Sequence, residues 1–263
     1  MSTEEIIRQA QESPDALLAC ILDTGEVLLT NGAEVFRVED TLNRLCLAYG
    51  FSNVNVFSIT SSIVLTVKCA SGRIVTQTRR IGNRDTNLRK IEQANSLSRQ
   101  LCKDPIPVEE FKQRLLEISQ LKNCPAYLLC FGYALISASF SVFFGGNALD
   151  SLAAALSGLF VFAVQYFLKK TRMNGILQSL LASAFTALVV VLLVSIGIGQ
   201  APDKITIGNI MLLIPGISFT TALRDMINGD TISGLVGISE AVIKAIAIAI
   251  GFAAVLVQFG GIL

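Results

Sequence analysis

The 263-residue chain has no histidine and no tryptophan, and only 16% of its residues are charged. Without histidine, the usual general base and the commonest metal ligand are missing. An ordinary soluble domain carries about 25% charged residues, so few groups here favour water. The 21 basic and 20 acidic residues nearly cancel, which gives no net field to attract nucleic acid. The composition therefore excludes a disordered or nucleic-acid-binding protein, and it gives no reason to expect a metal or another cofactor.

Sequence motifs of common enzymes are also missing. The six cysteines form no C-x-x-C pair, so we expect reduced, buried thiols rather than a zinc site. The sequence contains no G-x-x-x-x-G-K-[ST] phosphate-binding loop and no G-x-S-x-G nucleophile elbow. We therefore expect a protein that is not an enzyme.

The charged residues are concentrated in the first half of the chain. Residues 126–263 hold only six Lys or Arg and five Asp or Glu, whereas residues 1–125 hold 15 of each sign. This asymmetry predicts an α-helical integral membrane protein with an N-terminal cytoplasmic α+β domain. We place the α+β domain at 1–122 and the transmembrane domain at 123–263.

Five runs in the second half are long and apolar enough to cross a lipid bilayer, which takes about 20 residues. The predicted spans are about 126–144, 152–168, 176–196, 205–223 and 234–260. The loop with Lys169, Lys170 and Arg172 is the most basic short loop, so the positive-inside rule places it in the cytoplasm. The N-terminus is then inside the cell and the C-terminus outside.

The first half alternates helical and strand patterns. Ser13-Pro14-Asp15 is typical of a helix start, Asn31-Gly32 predicts a break, and Tyr49-Gly50 predicts the end of the next helix. Short β-branched runs predict strands at 53–60, 62–69 and 73–81, the last two joined as a hairpin. Helical patterns return at 87–103 and 108–121.

The predicted fourth span contains Pro215-Gly216. Proline removes a backbone hydrogen bond and clashes with the preceding turn. Helices broken at membrane depth line cavities or pack within protein, and they mark the binding sites of many secondary transporters. A simple proline kink explains this segment alone equally well.

Five of the eleven charges after residue 125 follow this proline, namely Arg224, Asp225, Asp230, Glu240 and Lys244. An ionisable group within lipid costs about 2.5–3.5 kcal/mol, which makes it a functional candidate where it is truly inside. Glu240 and Lys244 are four residues apart and can pair on one helix face. Alternatively, both lie at the cytoplasmic interface.

A second set of charges, Glu34, Arg37, Glu39, Asp40 and Arg44, forms a dense face on a predicted helix of the first half. Glu34 can pair with Arg37, and Asp40 can pair with Arg44. Taken alone, this face is most simply explained as solvated and held by salt bridges.

Two blocks of residues together resemble the threonine/serine exporter family of bacterial inner-membrane proteins. The run N-G-A-E-V-F-R-V-E-D-T at 31–41 resembles the family's G-A-E-x-x-R-V-E-D-T signature. The second block resembles the family's P-G … R-D … G-D … S-G … E-A pattern and comprises Pro215-Gly216, Arg224-Asp225, Gly229-Asp230, Ser233-Gly234 and Glu240-Ala241. The family often has a basic residue just before E-A, where this chain has the uncharged residues 236–239.

The resemblance implies an exporter of small carboxylate-bearing metabolites, such as threonine, serine or succinate. It implies the larger subunit of the split type, which works with a smaller membrane subunit, as a homo-oligomer, or both. The implied substrate and ion pathway comprises Pro215, Gly216, Arg224, Asp225, Asp230, Glu240 and Lys244. Arg224 would attract the substrate carboxylate, and Asp225, Asp230 or Glu240 would carry a proton. Glu34, Arg37, Glu39 and Asp40 would be structural or gating residues.

Two other functions are compatible with the sequence. An intramembrane aspartyl hydrolase would use Asp225 or Asp230 with a second acid. However, the run at 227–230 is I-N-G-D rather than G-x-G-D, and both aspartates fall in one short predicted loop. The other alternative is a membrane-anchored sensor domain, against which the charges near the fifth span argue.

Overall fold

The computed structural model describes residues 3–82, 85–122, 124–171 and 173–259. In chain order, its elements are α1 (Thr3–Glu12), α2 (Pro14–Thr30), α3 (Val35–Ala48), β1 (Ser52–Ile59), β2 (Ser62–Lys68), β3 (Ile74–Arg80), α4 (Leu88–Lys103), α5 (Val108–Ser119), α6 (Ala126–Phe143), α7 (Ala148–Lys170), α8 (Gly175–Ser195), α9 (Pro202–Leu213), α10 (Gly216–Ile227) and α11 (Thr231–Phe259). Arg172 of the predicted basic loop and residue 260 at the end of the predicted fifth span lie outside the described residues.

These elements belong to two compact units. Unit one combines Met1–Asn123 with Ile217–Ile238, and unit two combines Cys124–Gly216 with Ser239–Leu263. Unit one therefore includes most of α10 and the first turns of α11 in addition to the N-terminal elements.

The small sheet of unit one has the strand order β1-β2-β3, and both pairings are antiparallel. Its central strand buries Ile63, Leu65 and Val67 at alternate positions, as expected for a strand with one face on a core. The sheet lies close to α2, because a Cβ on Gly25 would come within 2.8 Å of Ile63 Cδ1. The prediction of an α+β arrangement with a three-stranded sheet is confirmed.

The local signals of unit one act as the sequence predicts, with one exception. Pro14 occupies the first turn of α2 after Ser13, and Gly32 has a φ of +95° in the break before α3, a conformation that favours glycine. Helix α1 was not predicted, because it is short and polar and buries only Ile6 and Ala10.

Several polar and sulfur-containing side chains are buried in the core of unit one. The Tyr49 hydroxyl donates to Ile106 O (3.0 Å), and burial raises the pKa of Tyr49 to about 12. Burial also raises the thiol pKa of Cys20 to about 11 and that of Cys46 to about 12, so these thiols are unreactive. The expectation that the thiols are buried is wrong for Cys124, which is exposed, and Cys102 and Cys130 are only half-buried.

Among the described residues, four helices (α6, α7, α8 and α11) are long and apolar enough to cross a membrane. The bent pair α9 and α10 gives a fifth candidate span if the two are taken together. Many large apolar side chains of these helices are exposed, as with Phe143, Phe167 and Val257, which suits surfaces that face lipid. The chain is therefore a multi-pass membrane protein.

Helices α6, α7 and α9 of unit two pack closely through small residues. A Cβ on Gly208 would lie 2.5 Å from Ser137 O, and a Cβ on Gly158 would lie 2.8 Å from Tyr133 O. The buried Asn209 amide joins the three helices, because it accepts from Ser137 Oγ (3.0 Å) and donates to Ser157 Oγ (2.6 Å). Close approach and interhelical hydrogen bonds of this kind hold membrane helices together.

Asp150 fixes the beginning of α7 to the segment that precedes α9. Its carboxylate accepts hydrogen bonds from the N–H groups of Asn147 (2.9 Å), Gln200 (2.6 Å) and Ala201 (2.9 Å). The side chain is buried, and Asn147 completes a capping box on α7. One buried acid thus satisfies backbone donors at the starts of two helices.

Candidate functional site

The two blocks that carry the family resemblance meet in unit one. Val35 N–H at the start of α3 donates to Asp225 Oδ1 of α10 (3.0 Å), and the Arg224 guanidinium forms an ion pair with the Glu34 carboxylate. We refer to Glu34, Val35, Arg224 and Asp225 as the junction. Because 190 residues separate each pair, it joins the N-terminal signature to the R-D element of the second block.

Asp225 acts as a helix cap supplied by another helix. The first N–H groups of an α-helix have no partner within the helix and carry partial positive charge. Glu34, the N-cap residue of α3, makes no side-chain capping hydrogen bond. The Asp225 side chain, in a residue that is only 2% exposed, provides the acceptor instead. Its position therefore supports α3 and α10 at the same time.

We expect Asp225→Ala to lower the free energy of unfolding by about 1–3 kcal/mol, because it leaves a buried N–H without its acceptor. Asp225→Asn keeps an acceptor oxygen and should cost less. The measurement is denaturation of the purified full chain in detergent, followed by the labelling of the buried thiols Cys20 and Cys46. The matched control is Asp40→Ala, which removes an acid that pairs with Arg44 at the surface of α3 and should cost under about 0.5 kcal/mol. Equal effects of both substitutions would contradict the capping role.

Glu34 lies between two guanidinium groups. One of its oxygens pairs with Arg224, and the other lies 3.7 Å from Arg37 Nε. The Glu34 side chain is 15% exposed, whereas those of Arg224 and Arg37 are 58% and 73% exposed. The predicted pair with Arg37 is confirmed, as is the pair of Asp40 with Arg44 (2.9 Å). Because Arg224 is open to solvent, a soluble anion can compete with Glu34 for it.

Glu39 and Asp230 form a second, acidic part of the site. Glu39 Oε1 accepts from Ser58 N (2.6 Å) and Ser58 Oγ (3.0 Å). Burial raises the pKa of Glu39, and the negative charge of Asp230 raises it further. Burial also raises the pKa of Asp230, whose buried Oδ2 has no hydrogen-bond partner within the part of the chain that the structure describes. Two such carboxylates hold a proton at a higher pH than isolated acids do.

The glycines of the second block shape the turn that carries Asp230. Gly229 has a φ of +101°, and the N–H of Asp230 then donates to Asp225 O (3.0 Å). A Cβ on Gly234 would lie 2.7 Å from Ala222 O, so only glycine lets α11 begin this close to α10. The G-D and S-G elements thus hold Asp230 beside the end of α10.

Pro215-Gly216 separates two helices rather than kinking one. Helix α9 ends at Leu213 and α10 begins at Gly216, and the N–H of Gly216 donates to Ile214 O (2.8 Å) across the break. The missing proline N–H and the open backbone at this point account for the interruption.

The remaining predicted residues, Glu240 and Lys244, lie in the part of α11 that belongs to unit two. Glu240 is exposed and Lys244 is half-buried, and within the described residues no ion pair joins them. The Lys244 side chain of α11 lies close to the first residue of α8, because a Cβ on Gly175 would lie 3.9 Å from Lys244 Cε.

Sequence reasoning missed two members of the site, the Val35 N–H and Ser58. Every residue other than proline has a backbone N–H, so the sequence cannot single out that of Val35. Ser58 lies within an ordinary strand pattern, so it was not a candidate either. Across the four described segments, no cluster of three or more Cys, Asp or Glu could hold a metal ion.

Comparisons with known proteins agree with these motifs. The family model described as "Putative threonine/serine exporter" matches residues 19–259. A threonine/serine exporter of Corynebacterium glutamicum is 23% identical over 80% of this chain and 44% of its own length. A protein of Escherichia coli K12 named "Probable succinate transporter subunit YjjP" is 22% identical over 95% of this chain and 97% of its own length.

A second protein of that name, from Klebsiella aerogenes, is 23% identical over 89% of this chain and 90% of its own length. The chain spans less than half the length of the Corynebacterium exporter. No solved structure gives a significant match.

Proposed function

This chain belongs to the threonine/serine exporter family, and from that premise we propose that it is one subunit of a secondary exporter for small carboxylate-bearing metabolites. Threonine, serine and short dicarboxylates such as succinate are the candidate substrates. Its relatives include both exporters of threonine and serine and proteins named as succinate transporter subunits, which supports this range.

The pair Arg224–Glu34 is the observation that carries the proposal. The Arg224 guanidinium already binds a carboxylate, which is the group that every candidate substrate offers. In our proposal, substrate replaces Glu34 on Arg224, and α10 is then released from the start of α3. The break at Pro215-Gly216 gives α10 freedom to move, since no continuous helix ties it to α9.

The proposed assembly includes a second, smaller membrane subunit or further copies of this chain. The relatives named as subunits match this chain along nearly their whole length, whereas the Corynebacterium exporter is more than twice as long as the matched region. We propose that the assembly lies in the bacterial inner membrane with the N-terminal elements in the cytoplasm. Lys169 and Lys170 at the end of α7 support this orientation.

The exporter is tested by flux into inverted membrane vesicles, whose outer face is the cytoplasmic one. Labelled threonine, serine or succinate should enter vesicles that contain this chain and a smaller partner subunit, and a protonophore should stop entry. Vesicles with the chain alone show whether the partner is needed. The proposal fails if none of the three substrates enters faster than into vesicles without the chain.

Proton coupling is proposed to use Glu39 and Asp230. Because burial raises both pKa values, the folded protein binds protons more tightly than the unfolded chain. The stabilisation is complete below the ordinary pKa of glutamate, 4.5, and is lost as the pH rises through the raised value.

We therefore expect the melting temperature to fall as the pH rises above about 4.5, and to fall less in Glu39→Gln. The double variant Glu39→Gln with Asp230→Asn should show the smallest change. Circular dichroism of the purified chain measures the melting temperature, and Glu5→Gln is the control for loss of an exposed acid. If the melting temperature of the double variant depended on pH as that of wild type does, Glu39 and Asp230 would be excluded as the groups that bind the proton.

A further inference from the structure

A surface cavity of about 360 Å³ lies in unit one and shares no residue with the junction. Its walls come from α2, α4 and α5, which contribute charged groups of both signs together with Leu115 and Leu116. This volume is in the usual range for small-molecule sites, about 300–1,000 Å³.

The acidic wall belongs to α2. Asp23 and Glu26 are one helical turn apart, and their side chains are 41% and 38% exposed. Both face Arg79 of β3, which forms an ion pair with Asp23 and lies 3.5 Å from Glu26. A single guanidinium leaves several carboxylate lone pairs unused, so this wall can also accept hydrogen bonds from an ammonium group.

The basic wall is formed by two lysines from different helices. Lys90 Nζ of α4 donates to Ser119 O (2.7 Å) and keeps two further N–H donors. Lys112 of α5 makes no ion pair with any residue that the structure describes. Its ammonium is thus available to an anion in the cavity.

We propose that this cavity binds a small zwitterion, an α-amino acid. Its carboxylate would face Lys90 and Lys112, and its ammonium would face Asp23 and Glu26, while the leucines contact its side chain. A dicarboxylate suits the cavity less well, because its second anionic group would meet the acidic wall. The site is separate from Arg224 and does not rest on the proposed transport function.

Calorimetric titration of the purified full chain with L-threonine, L-serine and L-alanine tests the site. Titrations are made in wild type and in Arg224→Gln, which weakens any binding at the junction. Saturable binding should persist in Arg224→Gln. Threoninol, which has no carboxylate, and N-acetyl-threonine, which has no ammonium, should bind at least about tenfold more weakly than threonine.

Lys112→Gln and Glu26→Gln should each weaken threonine binding by about tenfold, equivalent to the loss of one good polar contact. The matched control is Lys103→Gln, which removes an exposed lysine of α4 outside the cavity and should bind as wild type does. Circular dichroism verifies that each variant is folded. The proposal is overturned if no amino acid binds, if succinate binds more tightly than threonine, or if Lys112→Gln and Lys103→Gln bind equally. These binding measurements do not depend on transport, so a failure to detect flux in vesicles would not contradict the proposed amino-acid site.

Discussion

Arg224→Gln is expected to lower substrate flux into inverted vesicles by between about 5- and 150-fold, which corresponds to a typical coupling free energy of about 1–3 kcal/mol between two sites. The substitution removes the only group of the junction that can exchange a protein carboxylate for a substrate carboxylate. Arg224 is 58% exposed, and an exposed ion pair contributes under about 1 kcal/mol to folding. The flux should therefore fall while the melting temperature hardly changes.

Arg37→Gln is the matched control for this prediction. Arg37 Nε also lies 3.7 Å from a Glu34 carboxylate oxygen. However, both residues are at the start of α3, so this pair does not join α3 to α10. We expect flux within about twofold of wild type, since an exposed i,i+3 pair contributes only a few tenths of a kcal/mol. If Arg224→Gln and Arg37→Gln lost equal flux, the positive charge near Glu34, and not the link between α3 and α10, would account for the loss.

Asp150→Ala is expected to have the largest effect on stability. Three backbone N–H groups lose a buried carboxylate, and each hydrogen bond to a charged group contributes roughly 1.5 kcal/mol or more. We expect a loss of about 4 kcal/mol and a fall in the melting temperature of about 10 °C. Asp150→Asn keeps one acceptor oxygen, so its melting temperature should lie between those of wild type and Asp150→Ala.

The melting temperature of detergent-solubilised protein, followed by circular dichroism, measures this effect. The control is Asp203→Ala, which removes an exposed acid that pairs with Lys204 at the start of α9. Its cost should stay under about 1 kcal/mol. A similar shift for both aspartates would show that Asp150 does not fix the starts of α7 and α9.

Elements that depend on local pattern could be predicted from the sequence, and those that depend on distant contacts could not. Pro14 and Gly32 act within one or two turns of the chain, and the alternation of Ile63, Leu65 and Val67 is visible in a strand of seven residues. The two ion pairs predicted on α3 lie three or four residues apart. Helix α1 was not predicted because it is short and polar and has only two buried residues to mark a helical pattern.

The junction shows where sequence reasoning ended. The two sequence blocks identified Glu34, Arg224 and Asp225 as candidates, but the sequence did not predict the ion pair between Glu34 and Arg224. Asp225 was one of three acids proposed to carry a proton, and nothing in the sequence indicated that its Oδ1 accepts the Val35 N–H. The grouping of Ile217–Ile238 with the N-terminal elements also depends on contacts between residues about 190 positions apart, which periodicity does not report.

Exchange of the two charges of the junction tests the central claim most directly. The claim is that attraction between position 34 and position 224 links α3 to α10 and is broken by a substrate carboxylate. The double variant Glu34→Arg with Arg224→Glu restores the attraction in reverse, so its flux into inverted vesicles should exceed that of either single variant by about tenfold. A folded double variant no more active than the single variants would contradict the account.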